Sequence, residues 1–219
     1  MSITLGQLKI KLNYAVGTTE TKLLTTEKRT NALNYAVQTV LENYPIPQYI
    51  KSVTLTFSSG IADLPTDCLL PYKLKDTNQP NLEYEFINWD DFGNNITRTA
   101  NIFFNESGSK EQIQIYPTTA TSLKLWYVQL PVAMSADADA VRFNSWWAEA
   151  LAQKAAEKLL MDTSAFNRGD AKKFIADDLI DKAWQIERKR LVGTVGNKIN
   201  SVFAKRSLLN FRSTITTQT

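Results

Sequence analysis

The sequence contains no histidine and only one cysteine, Cys68, in 219 residues. Without histidine the chain lacks the usual general base and the commonest metal ligand, which excludes Ser–His–Asp and Cys–His catalysis. A single cysteine allows neither an intrachain disulfide nor a cysteine-rich zinc site, so we expect a buried, unreactive thiol. These absences leave only scattered carboxylates and a lone thiol for catalysis, so an enzyme is the least favoured hypothesis, and we expect no catalytic residue, cofactor or metal ion.

Long apolar runs are also missing. No stretch approaches the ~18–20 apolar residues that a membrane-spanning helix requires, and the N-terminus lacks the apolar core of a signal peptide. The sequence therefore predicts a soluble protein that folds where it is made and does not contact a membrane.

Acidic residues are absent from the last 32 positions, after Glu187. The same segment carries seven cations: Arg188, Lys189, Arg190, Lys198, Lys205, Arg206 and Arg212. Residues 1–187 hold the remaining 18 Lys and Arg against 22 Asp and Glu, a net charge of −4 within a chain of net charge +3. An acidic body with a basic end predicts an arm that contacts a different surface from the body.

Helical spacing of apolar residues predicts four helices. The first begins after Thr4, where Gln7 completes a capping box. The second is capped by Thr25 or Thr26 and ends at Pro45. The third lies in "VRFNSWWAEALAQKAAEKLLMD" and the fourth in "GDAKKFIADDLIDKAWQIERKRL", after which Gly193 and Gly196 interrupt the pattern.

Between the second and third helices the period changes to two, which is typical of strands. Strands are predicted in "KSVTLTF", "CLLPYKL", "LEYEFI", "TANIFFN", "EQIQIYP" and "SLKLWYVQL". The resulting prediction is an α+β fold: a four-helix bundle with two N-terminal and two C-terminal helices, an inserted antiparallel β module and an extended C-terminal arm. The predicted domains are a helical body of residues 1–48 and 132–192, a β module of residues 49–131 and an arm of residues 193–219.

Two short motifs resemble ligand-binding sites, but neither has the full pattern that its site requires. The "DADA" stretch that contains Asp137 and Asp139 lacks the Gly and Glu that a calcium-binding EF-hand loop needs at its sixth and twelfth positions. The "GTVGNK" stretch lacks the spacing of a phosphate-binding loop and follows no strand. We interpret the first as solvated carboxylates and the second as a hinge.

The basic arm has three interpretations: a segment that becomes ordered on a partner, a nucleic-acid contact, or an unstructured tail. Apolar residues among the cations favour the first. The adjacent residues Trp146 and Trp147 suit either a stacking platform for bases or packing in a core or subunit interface, and we favour packing.

Several short motifs, in a fixed order over residues 3–192, resemble the head-to-tail connector (adaptor) proteins of tailed bacteriophages. They are Leu64-Pro65-Thr66-Asp67, Tyr116-Pro117, Tyr127 with Leu130-Pro131, and the Ala-rich helix from Trp146 to Leu160. The resemblance implies a non-enzymatic virion protein at the capsid–tail junction, made in the host cytoplasm. Such adaptors form rings, usually dodecamers, beneath the portal. They extend the DNA channel and provide a platform for tail attachment.

The partners that the resemblance implies are the portal protein, other adaptor copies, a downstream tail or neck protein, and passing genomic DNA bound without sequence specificity. In the family the C-terminal segment often inserts into the portal. The predicted portal-docking residues are therefore Lys198, Ile199, Val202, Phe203, Lys205, Arg206, Leu208, Leu209, Phe211 and Arg212. Trp146, Trp147 and Leu151 are predicted at the subunit interface. The alternative hypothesis is a nucleic-acid-binding protein that uses the same basic tail.

Overall fold

The structure is a computed structural model that describes residues 2–17, 24–79, 81–87, 92, 98–106, 108, 110–163 and 165–195. The chain divides into two compact units. The helical unit comprises Met1–Tyr44 and Val132–Thr219, and the β unit comprises Pro45–Pro131.

In chain order the described elements are β1 (Ile3–Thr4), α1 (Leu5–Val16), α2 (Thr26–Asn43), a 3-10 turn (Pro47–Tyr49), β2 (Ile50–Thr56), β3 (Ile61–Asp63), β4 (Cys68–Asp76), β5 (Glu83–Phe86), β6 (Thr99–Asn105), β7 (Lys110–Tyr116), β8 (Ser122–Gln129), β9 (Ala140–Val141), α3 (Trp147–Asp162) and α4 (Phe166–Val195).

The starts of α1 and α2 lie where their capping residues predict them. The Thr4 hydroxyl accepts a hydrogen bond from the Gln7 amide, and the Gln7 side chain accepts one from the Thr4 amide, which confirms the capping box. Thr25 caps α2 by accepting from the Lys28 amide at 3.2 Å. These side chains satisfy amides that a helix N-terminus otherwise leaves unpaired.

Helix α3 is the centre of the helical unit, because it packs against α1, α2 and α4. Its sequence is rich in alanine, which lets neighbouring helices approach closely. Nine of its residues are buried: Trp147, Ala148, Ala150, Leu151, Ala152, Ala155, Ala156, Leu159 and Leu160. Strand β1 lies just before α1, and strand β9 lies before α3. The two strands pair antiparallel and form a small sheet.

The β unit contains one sheet of seven strands in the order β2-β8-β4-β5-β6-β7-β3. All neighbouring strands are antiparallel except β5 and β6, which are parallel. The two edge strands, β2 and β3, are consecutive in the chain, so the sheet curls into a near-barrel. Its core is formed by Leu55, Phe57, Ala62, Leu64, Leu74, Tyr84, Ala100, Ile113, Ile115, Leu123, Leu125 and Tyr127.

The predicted fold class, a four-helix bundle with an inserted antiparallel β module, is wrong. The strands form a seven-stranded mixed sheet that nearly closes on itself, and a second sheet, β1–β9, belongs to the helical unit. A period of two indicates a strand but not the direction of its neighbour, so the parallel β5–β6 pair could not be predicted from alternation. Helix α4 also continues through Gly193 to Val195, past the residue where we expected the arm to begin.

Candidate interaction surfaces

The predicted portal-docking residues, Lys198 to Arg212, lie outside the described residues. The described chain ends in α4, whose last turns carry Arg188, Lys189 and Arg190. The basic segment of the sequence therefore begins on a helix of the helical unit.

Two of the three predicted subunit-interface residues are buried within the single chain. Trp147 and Leu151 are each 0% exposed. The indole of Trp147 contacts the ring of Phe143 edge-on at 5.4 Å between centroids and lies 6.4 Å from that of Tyr44. Such aromatic pairs add stabilisation beyond the area they bury. Both residues thus hold α3 in the core of the helical unit.

Trp146 lies at the edge of this core and is only partly exposed. The guanidinium of Arg190, on α4, stacks over its ring at 4.9 Å from the centroid, a favourable cation–π geometry. Nearby, the Glu187 carboxylate is buried. Its two oxygens accept hydrogen bonds at 3.3 and 3.0 Å from the side-chain amide of Asn144. Trp146 is therefore part of the contact between the start of α3 and the end of α4.

The junction of α2 with α4 is also fixed by a polar contact. The Tyr44 hydroxyl donates a 2.9 Å hydrogen bond to Asp181, and its ring lies 5.6 Å from that of Trp184. Burial, together with the hydrogen bond to Asp181, raises the pKa of Tyr44. The phenol therefore stays protonated at neutral pH and continues to donate.

Helices α1 and α4 both carry large apolar side chains on their outer faces. On α1, Tyr14 is 80% exposed and Ile10 is 59% exposed. On α4, Phe174 is 78% exposed, and Ile175 and Ile186 are each 44% exposed. We call these the α1 patch (Ile10 and Tyr14) and the α4 patch (Phe174, Ile175 and Ile186). Ile10 and Tyr14 are four residues apart and lie together on one face of α1, whereas Ile186 lies about three turns of α4 beyond Phe174 and Ile175. Exposed apolar residues that lie side by side are typical of interaction surfaces.

In the β unit, three of the motif residues that carried the family resemblance, Asp67, Tyr127 and Leu130, form one network with Lys51. The Asp67 carboxylate accepts hydrogen bonds from Lys51 at 3.0 Å and from the Tyr127 hydroxyl at 2.9 Å. The Asp67 carbonyl accepts one from the Leu130 amide at 2.7 Å. Burial opposes ionisation of Asp67, but the hydrogen bonds from Lys51 and Tyr127 prevail and lower its pKa. This network joins the start of β4 to β2 and to the end of β8.

Cys68 follows this network directly and is partly buried. Burial, with a smaller contribution from Glu111 and Asp67, raises the pKa of its thiol to about 12. A thiol that is protonated at neutral pH is a poor nucleophile. Within the described residues, no group of three or more Cys, Asp or Glu side chains is arranged to hold a metal ion.

Sequence reasoning missed both exposed patches. On α1 it used Leu5, Leu8 and Leu12 to define the buried face, and these residues are indeed buried. Ile10 and Tyr14 lie outside this buried face, and their position there is the only signal that could have revealed them. On α4 the signal was a contrast in size, since the small residues Ala176 and Ala183 are buried while the large Phe174 is exposed.

Comparison with known proteins gives one family. A family model described as SU10 adaptor protein matches residues 3–195, which covers both units and ends at the last residue of α4. No curated protein matches the chain. Among the described residues, none of the helices combines the length and apolar character needed to span a membrane.

Proposed function

The chain belongs to the SU10 adaptor protein family, whose members are structural head-to-tail adaptors of bacteriophage virions, and we propose that it works as a ring seated between the portal and the tail. In this ring, for which we propose a dodecamer, the chain extends the DNA channel and offers the platform for tail attachment. DNA passes through without sequence-specific contacts.

The observation that carries the ring proposal is the pair of unlike patches on the helical unit. A closed ring requires a heterologous contact, in which one face of a subunit meets a different face of its neighbour. The α1 patch and the α4 patch lie on different helices, both of which pack against α3. We propose that the α4 patch of one copy packs against the α1 patch of the next.

The predicted interface residues take a supporting role in this proposal. Trp147 and Leu151 are buried in α3, on which both patch-bearing helices pack. Trp146 is partly exposed and stacks with Arg190 of α4. We propose that Trp146 lies at the rim of the subunit interface and that Trp147 and Leu151 set the spacing of the two patches.

For the arm we propose docking on the portal. The basic residues of the segment suit acidic groups there, but exposed ion pairs contribute only ~0–1 kcal/mol each. Burial of Phe203 or Phe211 contributes ~1.5–3 kcal/mol before the cost of ordering the chain. The apolar residues of the arm are therefore expected to matter more than any single cation, and repetition around the ring strengthens the attachment.

The excess of cations in the tail supports a second candidate, a nucleic-acid-binding protein. The acidic body, with a net charge of −4 over residues 1–187, argues against it, because like charge disfavours attachment to DNA. The two functions make different predictions for the arm. An adaptor arm binds portal, whereas a nucleic-acid arm binds DNA with a steep salt dependence.

The experiment is deletion of residues 196–219, which leaves every described element intact. Co-assembly with the portal protein of the same phage and binding to bulk DNA are measured side by side for both chains. We expect the deletion to abolish co-assembly with portal. Survival of portal assembly together with loss of DNA binding would support the nucleic-acid function instead.

A further inference from the structure

The half of α4 that carries Phe174 has an acidic outer face. Asp170, Asp177 and Asp178 are exposed and lie four residues before, three after and four after Phe174. All three are therefore within about 60° of Phe174 around the helix axis. Three cations of the same half are rotated from Phe174 by about 100° or more: Arg168, Lys172 and Lys173. Phe174 thus projects from a surface that carboxylates border on both sides.

The carboxylates beside Phe174 remain accessible to a neighbouring molecule. Asp177 lies 3.8 Å from the ammonium of Lys154, and Asp178 lies 2.6 Å from that of Lys182. Both aspartate side chains are nevertheless more than half exposed. Because exposed ion pairs of this kind are weak, a cation from another copy can share the same carboxylates.

The α1 patch has cations on both of its sides. Lys11 lies three residues before Tyr14 and borders the patch on one side. On the other side, Asn13 lies three residues after Ile10 and accepts a 3.0 Å hydrogen bond from the guanidinium of Arg29, on α2. Helix α1 itself contains no Asp or Glu.

One carboxylate reaches this border without cancelling its charge. Glu149 of α3 lies 3.2 Å from the Lys11 ammonium, and nearly half of each side chain is exposed, so the pair is weak. The hydrogen bond of Arg29 goes to a neutral amide. Two cations and one carboxylate leave the border of the α1 patch positive, opposite in sign to the border of Phe174.

We propose that these charged borders decide which faces of neighbouring copies meet. The carboxylates around Phe174 in one copy pair with Lys11 and Arg29 of the next copy, while the apolar side chains pack between them. Opposite charges across an interface steer and orient the partners. This inference rests on the proposed function, because it names the residues that give the proposed ring contact its specificity.

The same borders act against contacts between like faces. Two α4 faces brought together would place three carboxylates of each copy opposite one another, and like charges across an interface disfavour that pairing. A contact between like faces is isologous, joins two subunits and goes no further, whereas a contact between unlike faces can continue around a ring. The charges therefore select the ring over a closed pair.

The test reverses one charge on each face of the full-length chain. The variants are Asp170→Lys, Lys11→Glu and a chain that carries both changes. Glu106→Lys is the matched control, because it makes the same change in net charge as Asp170→Lys at an exposed position of the β unit. Sedimentation velocity measures the concentration at which each chain forms rings on the portal of the same phage, and thermal midpoints report folding.

We expect each single reversal to raise that concentration roughly tenfold or more, and the double variant to return to within about threefold of wild type. The reason for the recovery is that every contact in a ring of double variants again joins a lysine to a carboxylate. Glu106→Lys should behave as wild type.

Unchanged assembly of either single variant would overturn the charge pairing, as would a double variant that assembles no better than the single ones. An equal defect in Glu106→Lys would overturn it as well, since net charge alone would then explain the loss. Failure of the wild-type chain to form a ring on portal would instead refute the proposed function, and this inference with it.

Asp170→Asn decides the matter if a reversal variant does not fold, because it removes the charge and keeps the size of the side chain. The Debye length falls from about 10 Å at 0.1 M salt to about 3 Å at 1 M, so ring assembly of the wild-type chain should weaken over this range. Asp170→Asn should weaken less, since it has one pair fewer to lose. The arm is the same in both chains, so its own salt dependence cancels in the comparison. Equal salt dependence of the two chains would overturn the proposal.

Discussion

Replacement of Phe174 by serine is expected to weaken the contact between subunits without changing the stability of the subunit. Phe174 lies on α4 two residues before the buried Ala176, and is therefore rotated by about 200° from the buried side of the helix. Its side chain is 78% exposed, so its replacement removes little from the core of the helical unit.

The magnitude follows from the area that ring formation would bury. Full burial of a phenylalanine side chain contributes about 1.5–3 kcal/mol. Since about three quarters of this side chain is exposed, its burial against the α1 patch would contribute roughly 1–2 kcal/mol per interface. The association constant of each subunit contact should therefore fall about 5- to 30-fold in Phe174→Ser.

The assay is sedimentation velocity over a range of concentrations, with the portal of the same phage present in a parallel series. Phe104→Ser is the matched control, since Phe104 is also exposed, at 59%, but lies on β6 of the β unit. We expect assembly to require higher concentrations of Phe174→Ser only, with equal thermal midpoints for both variants. Unchanged assembly of Phe174→Ser, or an equal loss in Phe104→Ser, would refute the reasoning.

Three further predictions concern the stability of the two units. Trp147→Ala should lower the free energy of unfolding by about 3–5 kcal/mol, because it empties a fully buried site, and a denaturant titration checks this. Gly60→Ala should cost about 1–3 kcal/mol, because φ is positive there and the new Cβ would lie 2.5 Å from the Thr118 side chain; a thermal melt within error of wild type would contradict it. The Asp67 pKa is lowered in the folded chain, so the stability it contributes is present above its unfolded pKa near 4 and is lost as the pH falls through the folded value. Tyr127→Phe removes one hydrogen bond to this carboxylate and should flatten that acid dependence, which unfolding curves measured between pH 2 and pH 7 would reveal.

Local signals in the sequence predicted the starts of α1 and α2 and the places of most strands. Thr4 and Gln7 lie within one turn of each other, so their capping box depends on nothing distant. The alternation in "KSVTLTF" likewise placed Leu55 and Phe57 in the core and Ser52, Thr54 and Thr56 outside it. These features are decided by neighbours along the chain.

Features decided by distant residues were not predicted. The four residues of β5 carry the same alternation whether their neighbour runs parallel or antiparallel, and the pairing with β6 was fixed by contacts elsewhere. Packing of Trp147 was predicted, but the choice between the core and a subunit interface depends on Tyr44 and on the residues around α3, far away in the sequence. The separation of β2 from β3 could not be predicted either, because these two consecutive strands pair with different partners, β8 and β7.

Electron microscopy of the purified full-length chain mixed with the portal protein of the same phage tests the central claim most directly. The account predicts a closed ring of this chain, coaxial with the portal channel, in which α1 of each copy meets α4 of the next. Copies that stay monomeric beside the portal, or a ring whose subunits meet through other faces of the helical unit, would contradict it.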